Sequence, residues 1–167
     1  MVSLTAVALI PISRTAARVL LLDDRDRALL FRGFDPARPE DGTWWFTPGG
    51  GVDGEESLEE AAARELVEET GIREVRMGLC VWTRHASFKF EEYAVEQREW
   101  FFVARAARSE VDTSGFTDIE RRSMDAHRWW SVEELLATGE AVYPARLGTL
   151  LAALLRDGPP ATPIEID

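Results

Sequence analysis

The chain has a single cysteine, Cys80, so no disulfide can form within it and a small disulfide-stapled fold is excluded. That usage fits a reducing compartment, and the cytoplasm is the expected location. Lysine is almost missing: Lys89 stands alone, and arginine carries nearly all the positive charge. Positive charge is itself scarce, with 19 Lys and Arg against 30 Asp and Glu, a formal net charge of −11. This balance argues against a broad footprint on the phosphate backbone of DNA or RNA, so no nucleic-acid polymer is expected as a partner. A small phosphorylated ligand is still compatible, because a bound cation and a few arginines can reverse the field locally. The two histidines, His85 and His127, lack any metal-ligand spacing. No apolar run is long enough to span a bilayer, and the apolar start lacks a basic leader, so neither a membrane span nor a signal peptide is expected.

What is present is ordinary for one globular domain: 46% hydrophobic residues, eight Phe and six Trp in 167 residues. There are no internal repeats and no linker long enough to separate two domains. A single domain over residues 1–167 is predicted, with its core at about 14–156. Residues 4–10 read as an edge strand or extension. The segment 14–22 reads as a strand whose run Val19, Leu20, Leu21, Leu22 suggests burial on both faces. Segment 28–32 follows as its hairpin partner, 34–42 as a loop and 43–47 as a short strand. Strands are predicted at 75–87, 95–106 and 127–130, with 88–94 as a hairpin tip or its flanks and 109–120 as a loop. Ser131-x-x-Glu134 is a capping box opening a helix at 132–138. A last helix runs from Tyr143-Pro144 to Arg156, and a frayed tail follows. Strands alternating with a few helices indicate an α/β or α+β sandwich.

The chemistry concentrates in residues 47–72. Thr47-Pro48-Gly49-Gly50-Gly51 lets the backbone turn sharply and approach a ligand. Ser57-x-x-Glu60 is a second capping box, the helix after it is rich in Ala, Leu and Glu, and Gly71 sits where a helix takes a left-handed residue. On that helix Glu65, Glu68 and Glu69 are related by three and four positions and share a face. Their mutual repulsion is relieved if a cation sits among them, and oxygen ligands suit a hard ion such as Mg²⁺ or Mn²⁺. The competing reading is a solvated acidic face, which is what a charge run usually means.

Residues 50–72 resemble the Nudix box, Gly-x5-Glu-x7-Arg-Glu-U-x-Glu-Glu-x-Gly-U with U a bulky aliphatic residue. Gly50, Glu56, Arg64, Glu65, Leu66, Glu68, Glu69, Gly71 and Ile72 fill its fixed positions without a departure. The resemblance implies a Nudix-type α/β/α sandwich around a mixed curved sheet. It implies hydrolysis of the diphosphate linkage in a nucleoside diphosphate joined to another group, with a small nucleotide substrate such as a nucleoside di- or triphosphate or an ADP-ribose-like compound. It implies Glu65, Glu68 and Glu69 as metal ligands, with the Gly49 carbonyl as an addition, and Glu65 alternatively as an orienting group or base. Gly50, Glu56, Arg64 and Gly71 are implied to be structural, with Arg64 bracing Glu56 and Glu56 alternatively an outer ligand. Homodimerisation is common in the family, so a homodimer is a further expectation.

The family's catalytic base varies in position. The candidates here are Glu120, Glu96 and Glu99, with Glu120 preferred because it lies in a loop able to face the site. Arg32, Arg84 and Arg98 are candidate phosphate ligands, each competing with a plain surface role. Trp44, Trp45 and Phe46 are candidates to stack on a base, and Trp44 is preferred. Adjacent strand residues face opposite ways, so Trp44 and Trp45 cannot both serve. Two rival readings are a non-catalytic nucleotide-sensing module and an isoprenoid diphosphate isomerase. The intact acidic positions weigh against the first. The lack of any residue supporting Cys80 weighs against the second.

Overall fold

The computed structural model describes residues 8–167. Residues 4–7 of the predicted first strand lie outside the described part. Ile10 opens β1, which runs Ile10–Leu22, followed by β2 at Ala28–Phe34, β3 at Thr43–Phe46 and β4 at Gly49–Gly51. Helix α1 spans Leu58–Thr70, and the long strands β5, Val75–Phe90, and β6, Tyr93–Ala106, form a hairpin. Then come α2 at Asp118–Ser123, β7 at Met124–Trp130, α3 at Val132–Ala137, β8 at Ala141–Tyr143, α4 at Leu147–Asp157 and β9 at Ile164–Ile166.

The strands form one mixed, forked sheet in the order β8-β3-β2-β1-β6-β5-β9, with β4 on β1 and β7 on β2. β1 and β6 run parallel in unbroken register from Ile10 opposite Tyr93 to Leu22 opposite Arg105. The expected β1–β2 hairpin exists only at its base, Leu22 opposite Ala28. Beyond it the strands part. β2 pairs with β3 and β7, while β1 receives β4, Ala16 to Arg18 against Gly51 to Gly49. This fork delivers the glycine run onto β1.

Alternation along β1 sorts its side chains to two cores, as the continuous apolar run predicts. Ala17, Val19 and Leu21 join Ala61, Ala62 and Leu66 of α1, while Leu20 and Leu22 join Leu135 of α3 and Leu147, Leu151 and Leu154 of α4. The sheet is therefore covered on both faces by helices, the predicted sandwich.

Three expectations about loops and ends need correction. Helix α4 begins at Leu147, because Tyr143 precedes a proline, is disfavoured from helical geometry, and instead pairs in β8 with Phe46. The loop 109–120 ends in helix α2, opened by Thr117-x-x-Glu120, a capping box of the kind recognised twice elsewhere in the chain. The tail is not frayed: β9 pairs in parallel with Trp82 to Arg84 of β5 and buries Ile166. Ile166→Ala is expected to cost about 2 kcal/mol, the low end for a core aliphatic because the three-residue strand β9, paired with β5 alone, can adjust. A Tm fall of about 4–8 °C in a thermal melt would follow.

Candidate active site

Helix α1 is built as its sequence dictates. Ser57 Oγ accepts from the Glu60 N–H at 3.1 Å and Glu60 Oε2 accepts from the Ser57 N–H at 2.7 Å. Gly71, with φ +68°, donates its N–H to the Val67 carbonyl. Ala61, Ala62 and Leu66 press the helix onto the sheet, and the same stripe carries Glu65 and Glu69 inward.

Glu69 is 1% exposed. Its Oε2 accepts from the Gly49 N–H at 2.7 Å, and its Oε1 is buried with no hydrogen-bond partner among the described residues. Glu65 is buried beside Gly50, where an added Cβ would lie 2.6 Å from the Glu65 carboxylate. Glu120, entering from α2, has Oε2 fixed by the Thr117 N–H at 2.6 Å and hydroxyl at 2.8 Å. Glu65, Glu69 and Glu120 each present an oxygen within 4.8 Å of the others. Burial, reinforced by the charges of Glu65 and Glu120, raises the Glu69 pKa well above the ordinary carboxylate value. Burial raises Glu65 too, against the pull of Arg64.

This set fits a hard divalent cation. All donors are oxygens, they converge, and a buried carboxylate oxygen without a partner is costly unless an ion or proton occupies it. Glu68 lies apart from the cluster. Its side chain is 49% exposed and accepts from Arg64 Nη1 at 3.2 Å. The helix puts Glu68 near Glu65, but the packing turns it to the rim.

Arg64 braces Glu56 as expected and does more. Nε and Nη2 bond the two Glu56 oxygens at 3.1 and 2.7 Å, Nη2 also bonds the Gly51 carbonyl at 3.0 Å, and Nη1 reaches Glu65 and Glu68. All five guanidinium protons thus have acceptors, which ties the glycine strand to the helix. Arg64 and the Asp53 N–H hold the Glu56 pKa below its ordinary range.

A second group was legible only in part in the sequence, since Glu99 and Arg84 were candidates but Arg14, Arg18 and Gln97 were not. The Gly49 carbonyl accepts from Arg18 Nη1 at 3.0 Å, and Arg18 Nε bonds Glu99 Oε1 at 3.0 Å. Glu99, 1% exposed, also accepts from Arg84 Nε and Gln97 Nε2, each at 2.6 Å, and Arg14 donates to Gln97. Burial alone would raise the Glu99 pKa; Arg18 and Arg84 override it and hold the group low. Glu99 is therefore an ion-paired anchor outside the carboxylate cluster. The signal available was Arg14 and Arg18 four apart on one strand, which places both on one face.

The other candidates are dispersed. Arg32 pairs with exposed Asp125 and lies over the Trp45 ring. Trp45 is core, edge-on to Trp130, while Trp44 is half-buried. Glu96 pairs with exposed His85 and with Ser87. His127 lies edge-on to Phe31, and Cys80 donates to the Trp82 carbonyl.

The fold and the converging carboxylates agree with the resemblance of residues 50–72 to the Nudix box. The sequence profile of the NUDIX domain matches residues 12–149. A relative from Caulobacter vibrioides, an RNA pyrophosphohydrolase, is 31% identical over 161 residues, covering 86% of this chain and 85% of its own. Among solved structures, the MutT protein of Methanosarcina mazei is similar with TM-score 0.56 and 23% identity, over 89% of this chain and 96% of that one. An ADP-ribose pyrophosphatase from Streptococcus suis has TM-score 0.58 and 17% identity, over 92% and 98%. The chain belongs to the Nudix family. Among the described residues, no helix is long and apolar enough to cross a membrane.

Proposed function

We propose that the protein is a divalent-metal-dependent pyrophosphohydrolase of small nucleotides, cleaving the diphosphate linkage of a nucleoside diphosphate joined to another group. The observation that carries this reading is the partnerless buried oxygen of Glu69 within the Glu65, Glu69 and Glu120 cluster. These three carboxylates would hold Mg²⁺ or Mn²⁺, with Glu68 at the rim. The Gly49 carbonyl keeps a second lone pair beside the one given to Arg18. When bound, the ion would supply charge neutralisation on the diphosphate and a more acidic water. Glu120 is suited to accept the water's proton, because the Thr117 bonds fix one oxygen and so orient the other. Glu65 orients the site beside it.

The net charge of −11 requires local cations for an anionic substrate. Arg14, Arg18 and Arg84 supply them. Arg18 bonds the carbonyl of Gly49, whose N–H is bound by Glu69, and Arg14 joins Arg18 through Gln97 and Glu99. The Arg84 guanidinium lies 5.9 Å from the exposed Tyr143 ring, a face on which a base can stack. Arg14→Ala is the clean test of this side, because Arg14 bonds a neutral amide and its loss strands no buried carboxylate. KM is expected to rise about tenfold with kcat little changed, since one charge-assisted bond to phosphate is lost.

The assay is hydrolysis of a panel of nucleoside diphosphate derivatives with Mg²⁺, beside Glu69→Gln. Turnover lost in the variant supports the reading, whereas saturable binding without turnover would favour a sensor. The Caulobacter relative gives a second reading, a 5′-triphosphorylated RNA end. Preference for such RNA over the free nucleoside triphosphate by more than about tenfold in kcat/KM would favour it, against the charge argument.

A further inference from the structure

The β5–β6 hairpin turns through two residues, Glu91 and Glu92, between paired Phe90 and Tyr93. Glu91 has φ +49°. A two-residue hairpin needs such a conformation at its first central position, and glycine, asparagine or aspartate meet it with least strain. A glutamate there is held by its surroundings. Its N–H donates to both oxygens of buried Asp35, at 3.2 and 3.1 Å, and its carbonyl accepts from Arg38 Nη1 and Nη2 at 2.9 and 2.8 Å. A glycine would make all of these bonds. Among the described residues, the single hydrogen bond that needs the glutamate side chain is the one from Arg122 Nη2 to Glu91 Oε2, at 2.8 Å.

Arg122 lies on α2, two residues after Glu120. Every other side-chain hydrogen bond made by α2 among the described residues stays within the segment 114–123: Glu120 with Thr117, Arg121 with Asp118 and Ser114, Ser123 with Ile119. Phe116 in the core before α2 and β7 directly after it fix the two ends of the helix. The bond to Glu91 is the one side-chain hydrogen bond, among the described residues, that joins the helix to another part of the fold. Glu91 is itself pinned to the loop after β2 through Asp35 and Arg38, so it offers a fixed point rather than a mobile side chain. The Glu91 carboxylate is 16% exposed and Arg122 55%.

We propose that Glu91 is a positioning residue for Glu120: through Arg122 it holds α2 so that the Glu120 carboxylate meets Glu65 and Glu69. This rests on the assignment of Glu120 to the catalytic cluster. A partly exposed ion pair biases a position by a factor of about three to five, and that sets the expected effect. The discriminating variant is Glu91→Gly, which keeps both backbone clamps and relieves the left-handed Cβ, so stability is preserved while the side-chain tie is lost. Its Tm is expected within about 2 °C of wild type. Its kcat should fall about three- to fivefold with KM unchanged, and Mn²⁺ affinity, read by electron paramagnetic resonance, should weaken by a similar factor. Amide exchange across 118–123 should quicken in step. Arg122→Ala should reproduce all three changes, and Glu91→Gln, whose amide oxygen still accepts from Arg122, should restore most of the loss. Unchanged kcat, Mn²⁺ affinity and exchange in Glu91→Gly and Arg122→Ala, with Glu120→Gln still impaired, would overturn the positioning role alone. An unimpaired Glu120→Gln would overturn the assignment of Glu120 and the positioning role with it.

Discussion

Glu69→Gln is expected to lower kcat/KM by at least about 10²-fold, the scale of losing one preorganised electrostatic group at a reaction centre. The same variant should make the metal-free protein more stable at neutral pH. The amide oxygen can still accept from the Gly49 N–H, while the buried charge, whose Oε1 has no partner, is gone. The sign follows from the raised pKa of Glu69, caused first by burial. The folded state binds this proton more tightly than the unfolded chain. The stability contributed by the protonated form is therefore complete below the ordinary value of 4.5 and is lost as pH rises towards the elevated folded value. Melts of metal-free wild type should lose Tm relative to Glu69→Gln as pH climbs above 4.5. At neutral pH, Mg²⁺ or Mn²⁺ should raise the wild-type Tm by mass action and leave the variant unmoved. A variant with full activity, or one that metal stabilises equally, would remove Glu69 from the site.

Gly49→Ala is expected to produce the largest loss of stability, about 3–4 kcal/mol, or a drop of roughly 10 °C in Tm. Gly49 has φ +130°, and a Cβ there would stand 2.2 Å from the Ala17 carbonyl oxygen and 2.8 Å from the Arg18 Cα. Both belong to the backbone of β1, buried between two cores, so neither can yield. Gly50→Ala makes the informative contrast. Its Cβ would meet the end of the Glu65 side chain at 2.6 Å, which can swing away. Stability should change by about 1 kcal/mol or less, while kcat falls because Glu65 leaves its place. Equal melting temperatures for the two variants would contradict this division of labour.

Helix α1 was legible because its determinants are local. Ser57, Glu60 and Gly71 satisfy the ends of the same helix whose alanines and Leu66 pack it down, and those groups lie within a few residues of one another. The two cores followed from the alternation along β1. Helix α2 was equally local, since Thr117-x-x-Glu120 has the same pattern, yet its six residues carry too short an apolar stripe to show through a polar segment. The tail misled for a similar reason: Ile164 and Ile166 find a partner only because β5 leaves an edge at Trp82 to Arg84.

The site divides along the same line. The sequence by itself determined that Glu65, Glu68 and Glu69 share a helix face, that a glycine run precedes them, and that Glu56 and Arg64 lie within reach. Helix geometry and capping need no distant partner. The tertiary structure decided which carboxylates converge. Glu68 and Glu69 are neighbours on one helix, but β4 lies against Glu69, so Glu69 is buried and Glu68 faces the rim. The structure also decided that Glu120 converges with Glu65 and Glu69, and that Glu99 pairs with Arg18 and Arg84 outside that cluster. These groups come from strands and helices tens of residues apart. Their meeting depends on the fork after β1 and on the parallel register of β1 with β6, which are set by packing across the whole sheet.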